Sequence, residues 1–367
     1  MNLRKRPPAQ GFGRMLAHGL GVEEFVQLMG RTELNTNTLN RVENPEDFID
    51  VCLDIGDKAY KYAEKELALG HKETASTFFL NACGVYRVAD YGLIEPNEEK
   101  LMVYKKVPDS FMRGKELSIY DKVVKVEIPF EHATMPGYLT IPEDAPSDVP
   151  VVIVIAGATG YKEENYSLAH RYWERGFATL IFDGPGQGES MLFRGYTYTV
   201  DNFEKALKAA IDFIHADERV GDKIALQGIS YGGYLASRSA CFLNDEIEAI
   251  VCRGGCSQTD QLTVPRNHAY LRNFKVKFNE SDDEKAKAIS SQMNIEPYLH
   301  QITVPLLVQH TEQDLVCGVK GAKTIFEKAS SVDKEYYEIP GSLHCGDDYD
   351  DTVASYAADW VTDRLMK

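Results

Sequence analysis

No stretch of this sequence reaches the 18 or more uninterrupted apolar residues that a membrane-crossing helix needs, so no membrane partner is expected. Positive charge is in short supply. Forty Lys and Arg face 56 Asp and Glu, a formal net charge of −16. That field repels phosphates, which argues against nucleic acid or an anionic lipid surface as partner. The cysteines are seven, an odd number, scattered and without a CxxC pair. This pattern excludes a disulfide framework and predicts reduced thiols in the cytoplasm. No HExxH and no Cys/His cluster occurs, so no metal is expected. The basic start "MNLRKRPPAQ" leads into no apolar segment, and no secretory signal is expected. Internal repeats and low-complexity tracts are also missing.

What is present suits a soluble globular chain. The 367 residues are 44% hydrophobic and 26% charged, enough for one large domain or two ordinary ones. Two regimes divide them. From Asn44 to Met112 the apolar spacing is helical. Asn44-Pro45-Glu46-Asp47 reads as a helix start, with a cap residue, proline and then acids. Phe48, Val51, Cys52, Ile55, Ala59, Tyr62 and Ala63 continue one face, and Gly70 interrupts. A second face runs from Ala75 to Ala89, and a third helix is predicted over Glu98–Phe111.

After Leu117 the period changes. "VVKVEIPF" and "GYLTIPE" alternate as a half-exposed antiparallel pair. Then come solid apolar runs, "VPVVIVIAG", "FATLIFDG", "KIALQGIS", "IEAIVCRGG" and "VPLLVQH". Helical patterns at Glu163–Arg175, Asn202–Asp217 and Gly232–Leu243 separate most of them. Buried strands alternating with helices predict an α/β fold: a mainly parallel sheet covered on both faces. "KEYYEIPG" supplies a last strand, and Asp350–Met366 a closing helix. The expected domains are a helical one at 1–116 and an α/β one at 117–367. Within the latter, residues 256–303 form a strandless, mainly helical excursion, too long for a simple connection and expected over the strand ends.

Gly228-Ile229-Ser230-Tyr231-Gly232 is G-x-S-x-G between a buried strand and a helix. In that context the serine sits on a strained turn, its hydroxyl lifted to the carboxyl edge of the sheet. A serine needs a base, and the base an orienting acid, in the chain order Ser, acid, His. Asp314 follows the strand "VPLLVQH", and His344 follows the next strand; both then converge on Ser230. The competitors are Glu312 for the acid and His310, His268 or His170 for the base. Backbone N–H donors for an oxyanion are expected at Tyr231 and at Gly157 or Ala158, in the loop after "VVIVIAG". "DGPGQGES" lacks GK[ST] and the G-x-G-x-x-G spacing, so it reads as a tight loop, and no cofactor is expected.

The combination "AEKELALGHKETASTFFLNACGVYR", "KEE", "FDGPGQGES", "GISYGG" and "HCGDD" resembles the 2,6-dihydroxypseudooxynicotine hydrolase group of the α/β-hydrolase superfamily, related to FrsA-like proteins and fungal polyketide-shortening hydrolases. The resemblance covers most of the chain from Phe48 onward, the helical region included. It implies a Ser–Asp–His triad at Ser230, Asp314 and His344. It also implies hydrolysis of a carbon–carbon bond next to a ketone in a small-molecule carbonyl substrate, and a homodimer. Where that group's oxyanion loop begins Gly-Gly, this chain has Ala156-Gly157. The helical domain and the excursion are then expected to form a lid. Arg253, Arg266 and His268 are candidates for binding an acidic or phenolic substrate group. An esterase or thioesterase with the same triad is the alternative, and a noncatalytic protein on a hydrolase scaffold the third reading.

Overall fold

A computed structural model describes residues 16, 19–32, 34–35, 40–41, 46–263 and 268–367. The chain divides into two compact units, Met1–Val123 and Val124–Lys367.

The first unit is helical. Helix α1 spans Val22–Arg31, α2 Phe48–Ala68, α3 Lys72–Gly92 and α4 Glu98–Leu117. Asn44 and Pro45, expected to start α2, lie outside the described residues. The cap is Asp47, whose carboxylate accepts from the amides of Ile49 and Asp50. Helix α3 packs against both α2 and α4. α1 is not apparent from the sequence pattern, and α4 runs past Phe111 to Leu117.

A buried charge cluster joins α3 to α4. Asp90 is fully buried, 2.7 Å from Arg87 and 2.6 Å from the Lys100 ammonium, which also donates to the Asp90 carbonyl. Burial pulls Lys100 below its ordinary value, and Asp90 offsets part of that. Asp90→Ala is therefore expected to destabilise this unit by roughly 3–5 kcal/mol, because a charge stays buried without its carboxylate. Urea unfolding followed by far-ultraviolet dichroism measures it. A loss below about 1 kcal/mol would show that the ammonium finds water or another acceptor at little cost.

The second unit is built on an eight-stranded sheet among the described residues. Its strands are β1 Val123–Phe130, β2 Ala133–Thr140, β3 Val151–Ile155, β4 Ala178–Phe182, β5 Ile224–Ile229, β6 Ala249–Arg253, β7 Leu306–His310 and β8 Lys334–Glu338. Their spatial order is β8-β7-β6-β5-β3-β4-β2-β1. From β8 to β4 neighbours are parallel, and β2 pairs antiparallel with β4. β3 to β7 are buried along their whole length, as solid apolar runs require when helices cover both faces. This is the α/β-hydrolase fold.

The helices here are α5 Tyr166–Trp173, α6 Gly188–Arg194, α7 Asn202–His215, α8 Tyr231–Phe242, α9 His268–Phe278, α10 Asp283–Gln292, α11 Val319–Lys328 and α12 Asp350–Leu365. α9 and α10 lie within 256–303. The chain order reverses between β3 and β5, so the crevice for a ligand opens beyond their carboxyl ends. Among the described residues no helix is long and apolar enough to cross a membrane. The seven cysteines are free and buried.

Candidate active site

β5 is apolar throughout and runs directly into α8, with Ser230 alone between them. Ser230 has φ 58° and ψ −125°, a strained conformation for a residue with a side chain. The flanking glycines make the turn possible. A Cβ on Gly228 would lie 2.1 Å from the Gly232 carbonyl oxygen, and one on Gly232 would lie 2.2 Å from that of Ile155. The Ser230 amide donates to the Arg253 carbonyl at 2.8 Å, fixing the turn to the end of β6.

The turn after β7 holds Asp314. One carboxylate oxygen accepts from the amides of Val316 and Cys317 at 2.8 and 2.9 Å. The other lies 2.6 Å from His344 Nδ1, and His344 Nε2 lies 2.7 Å from Ser230 Oγ. A carboxylate accepts only, so Nδ1 carries the proton when the imidazole is neutral. Nε2 is then a bare lone pair aimed at the serine hydroxyl. Burial works against charge on both groups. Yet the His344 hydrogen bond and charge take the Asp314 carboxyl below its ordinary range. Likewise burial lowers the His344 imidazole, but the hydrogen bond and charge of the Asp314 carboxylate work against it, and the ring is held above its usual value.

The loop bearing His344 is fastened from beneath. Arg253 is fully buried, with Nε donating to the Cys345 carbonyl and Nη2 to Asp350, both at 2.7 Å. Two of its guanidinium nitrogens thus hold the histidine loop, and the third, Nη1, is buried without a hydrogen-bond partner among the described residues. The sequence named Arg253 for an acidic or phenolic substrate group; the partner the structure shows is Asp350. Arg266 lies outside the described residues. His268 opens α9, and its side chain is likewise outside them.

The competitors are placed elsewhere. His310 is buried behind Asp314, its Nε2 3.6 Å from the carboxylate and its Nδ1 donating to the Thr311 carbonyl. His170 stacks on Trp173 with ring centroids 5.0 Å apart. Glu312 is exposed, 3.7 Å from Lys323.

The loop after β3 passes close to the hydroxyl. A Cβ on Gly157 would come within 3.1 Å of Ser230 Cβ and 3.6 Å of its Oγ. Ala158 is the next residue and buried. Tyr231 is the first residue of α8, where the N–H groups have no intrahelical acceptor and the helix dipole favours negative charge. An anion forming on an atom bound to Ser230 Oγ would meet this helix end.

Sequence reasoning missed two neighbours. Cys345 Sγ lies 3.3 Å from the same His344 Nε2, in a residue with φ 61°. Lys162 is wholly buried among Glu163, Asp183 and Glu189. "KEE" and "FDGPGQGES" marked both segments, but nothing in their spacing predicted the pairing. Among the described residues, one group, Asp212, His215 and Glu246, brings three metal-capable ligand atoms together; Lys208 already pairs with both carboxylates.

Comparison with known proteins agrees with this architecture. The chain is 24% identical over 367 residues to 2,6-dihydropseudooxynicotine hydrolase of Paenarthrobacter nicotinovorans, covering 97% of this chain and 92% of that one. The crystal structure of 2,6-dihydroxy-pseudo-oxynicotine hydrolase superposes with a TM-score of 0.83 at 23% identity, over 97% and 96% of the two chains. The alpha/beta hydrolase xenA of Xenoacremonium sinensis is 30% identical over 240 residues, 62% of this chain and 54% of its own length. The chain thus spans about half the length of that fungal relative. The family model described as esterase FrsA-like matches residues 54–366, and the chain belongs to the esterase FrsA-like family of α/β hydrolases.

Proposed function

We propose that this protein hydrolyses a carbon–carbon bond next to a ketone through a serine acyl-enzyme. The observation that carries the reading is the hydrogen-bonded chain Ser230 Oγ, His344 Nε2, His344 Nδ1, Asp314 Oδ2. His344 takes the hydroxyl proton as Oγ attacks the carbonyl carbon. The oxygen becomes an anion facing the amides of Tyr231 and of Gly157 or Ala158. Collapse expels carbon, which must leave as an enolate or an electron-rich hydroxylated ring position, since a bare carbanion is too unstable. His344 returns its proton to that carbon. Water then cleaves the acyl–Ser230 ester by the same base. The preference for carbon as leaving group rests on the near full-length likeness to 2,6-dihydropseudooxynicotine hydrolase.

An ester or thioester substrate is the second reading, favoured by the esterase description of the family. A panel of β-diketones, polyhydroxylated aryl ketones, esters and thioesters separates the two, with products assigned by mass spectrometry. Cleavage of a ketone into one acid and one carbon-protonated product, with an acyl adduct on the Ser230 peptide, is the expected result. Fast ester turnover with every ketone left intact would favour the second reading. A wild-type protein that forms no adduct at Ser230 with a fluorophosphonate would end both.

A further inference from the structure

The loop that follows β3, Ala156 to Asn165, has no regular secondary structure, yet it is almost entirely buried. Two anchors hold it. At its start, the buried Gln187 side chain donates to the Ala156 carbonyl at 2.9 Å while accepting from the Gly184 amide at 3.0 Å. Farther along, Lys162 Nζ lies 2.8 Å from each of Glu163, Asp183 and Glu189. The Lys162 amide also donates to Asp183 Oδ1 at 3.1 Å, so Asp183 grips one residue at two points. Asp183 Oδ2 accepts the Glu189 amide as well. That carboxylate has room only because residue 188 is glycine: a Cβ there would lie 2.0 Å from Asp183 Oδ2. Gly157 and Ala158 sit between the two anchors.

We propose that Lys162 is a positioning residue that fixes the backbone at Gly157–Ala158 for oxyanion binding, by locking its loop to the Asp183–Glu189 segment. The inference rests on the acyl-enzyme reading. A buried ammonium is retained at a site only with its charge and hydrogen bonds answered, and here three carboxylates answer it. Burial disfavours the charged form of Lys162, and the carboxylates more than offset this, so it stays an ammonium. Glu189 is shared with Lys125 at 3.6 Å, and Tyr138 donates to Glu163. A cage this closed has no access for substrate. Its effect must pass through the loop it holds. Donors to an oxyanion have to sit within a few tenths of an ångström of their working place, and the ground-state carbonyl asks less of them.

Lys162→Met and the milder Asp183→Asn test this. On an activated ester both should lower kcat, Lys162→Met by about 10- to 100-fold, less than or near the loss of one oxyanion donor. KM should stay within about threefold, as expected when only transition-state binding is lost. Affinity for a trifluoromethyl ketone, which forms the tetrahedral adduct, should fall in parallel with kcat/KM. Hydrogen exchange in the 156–165 peptide should quicken at least tenfold while the β5–α8 peptide keeps its protection. If Lys162→Met does not fold, Asp183→Asn decides. Variants that keep wild-type kcat, ketone affinity and exchange would overturn the proposal. Should the wild-type enzyme itself fail to label at Ser230, the acyl-enzyme reading has failed, and the oxyanion role with it. Unchanged exchange in a labelling-competent protein sinks the positioning role alone.

Discussion

Ser230→Ala is expected to lower kcat/KM by roughly ten-thousand-fold to a million-fold and to abolish fluorophosphonate labelling. The alanine keeps the turn and its strain but removes the hydroxyl oxygen that lies 2.7 Å from His344 Nε2 and forms the acyl ester. What survives is the small rate that oxyanion donors and binding provide to a water attack. Cys345 lies near the same nitrogen, 3.3 Å away, and is the obvious substitute nucleophile. Burial raises its thiol above the ordinary cysteine value, although His344 draws it partly back. At neutral pH it is therefore a thiol, a poor nucleophile beside its thiolate. Ser230→Ala and Ser230→Ala with Cys345→Ala should accordingly show the same residual rate. Initial rates on an activated ester, with intact-protein mass spectrometry for adducts, measure both. A Ser230→Ala protein that keeps more than about a tenth of wild-type kcat/KM would remove the serine from the mechanism.

The serine turn was legible because local chemistry dictates it. An apolar strand, two glycines and an immediate helix leave few other conformations for residue 230. Asp314 and His344 were legible because successive parallel strands deliver their carboxyl ends to one edge. The buried lysine was not, since residues 162, 183 and 189 meet only once β3 and β4 are neighbours. The same contacts displace a helix start. Glu163–Arg175 has helical spacing, but Lys162 is tied down to Asp183, and α5 begins at Tyr166. α6 hides for a different reason, behind the glycines of "DGPGQGES". The anchoring role of Arg253 was not legible either. Its partners, the Cys345 carbonyl and Asp350, lie about a hundred residues away and leave no trace in local sequence.

Asp314→Asn is expected to cost roughly ten-thousand-fold in kcat at neutral pH, with little change in fold. The cause is the tautomer. An amide at 314 can present N–H to Nδ1, which drives the imidazole proton to Nε2 and leaves the serine without an acceptor. The pH dependence adds a signed test. A general base works when neutral, so kcat/KM falls as pH falls through the His344 pKa. Because that pKa is raised, the acid limb of wild type should stand above the ordinary histidine value of about 6.5. Asp314→Asn removes one of the groups that raise it, and the limb should move to lower pH. Stability runs the other way. The raised His344 contributes stability fully below its unfolded value and loses it as pH rises through the folded one. The lowered Asp314 contributes above its unfolded value, about 3.9, and loses that as pH falls through the folded one. The ion pair is thus strongest between about pH 4 and 6.5, where the base is protonated and turnover is suppressed. The variant should lose stability mainly in that window, while its activity defect is greatest above it. Thermal midpoints and kcat/KM measured over the same pH series separate the two effects. An acid limb that stays in place in Asp314→Asn would mean the carboxylate does not set the imidazole's proton affinity.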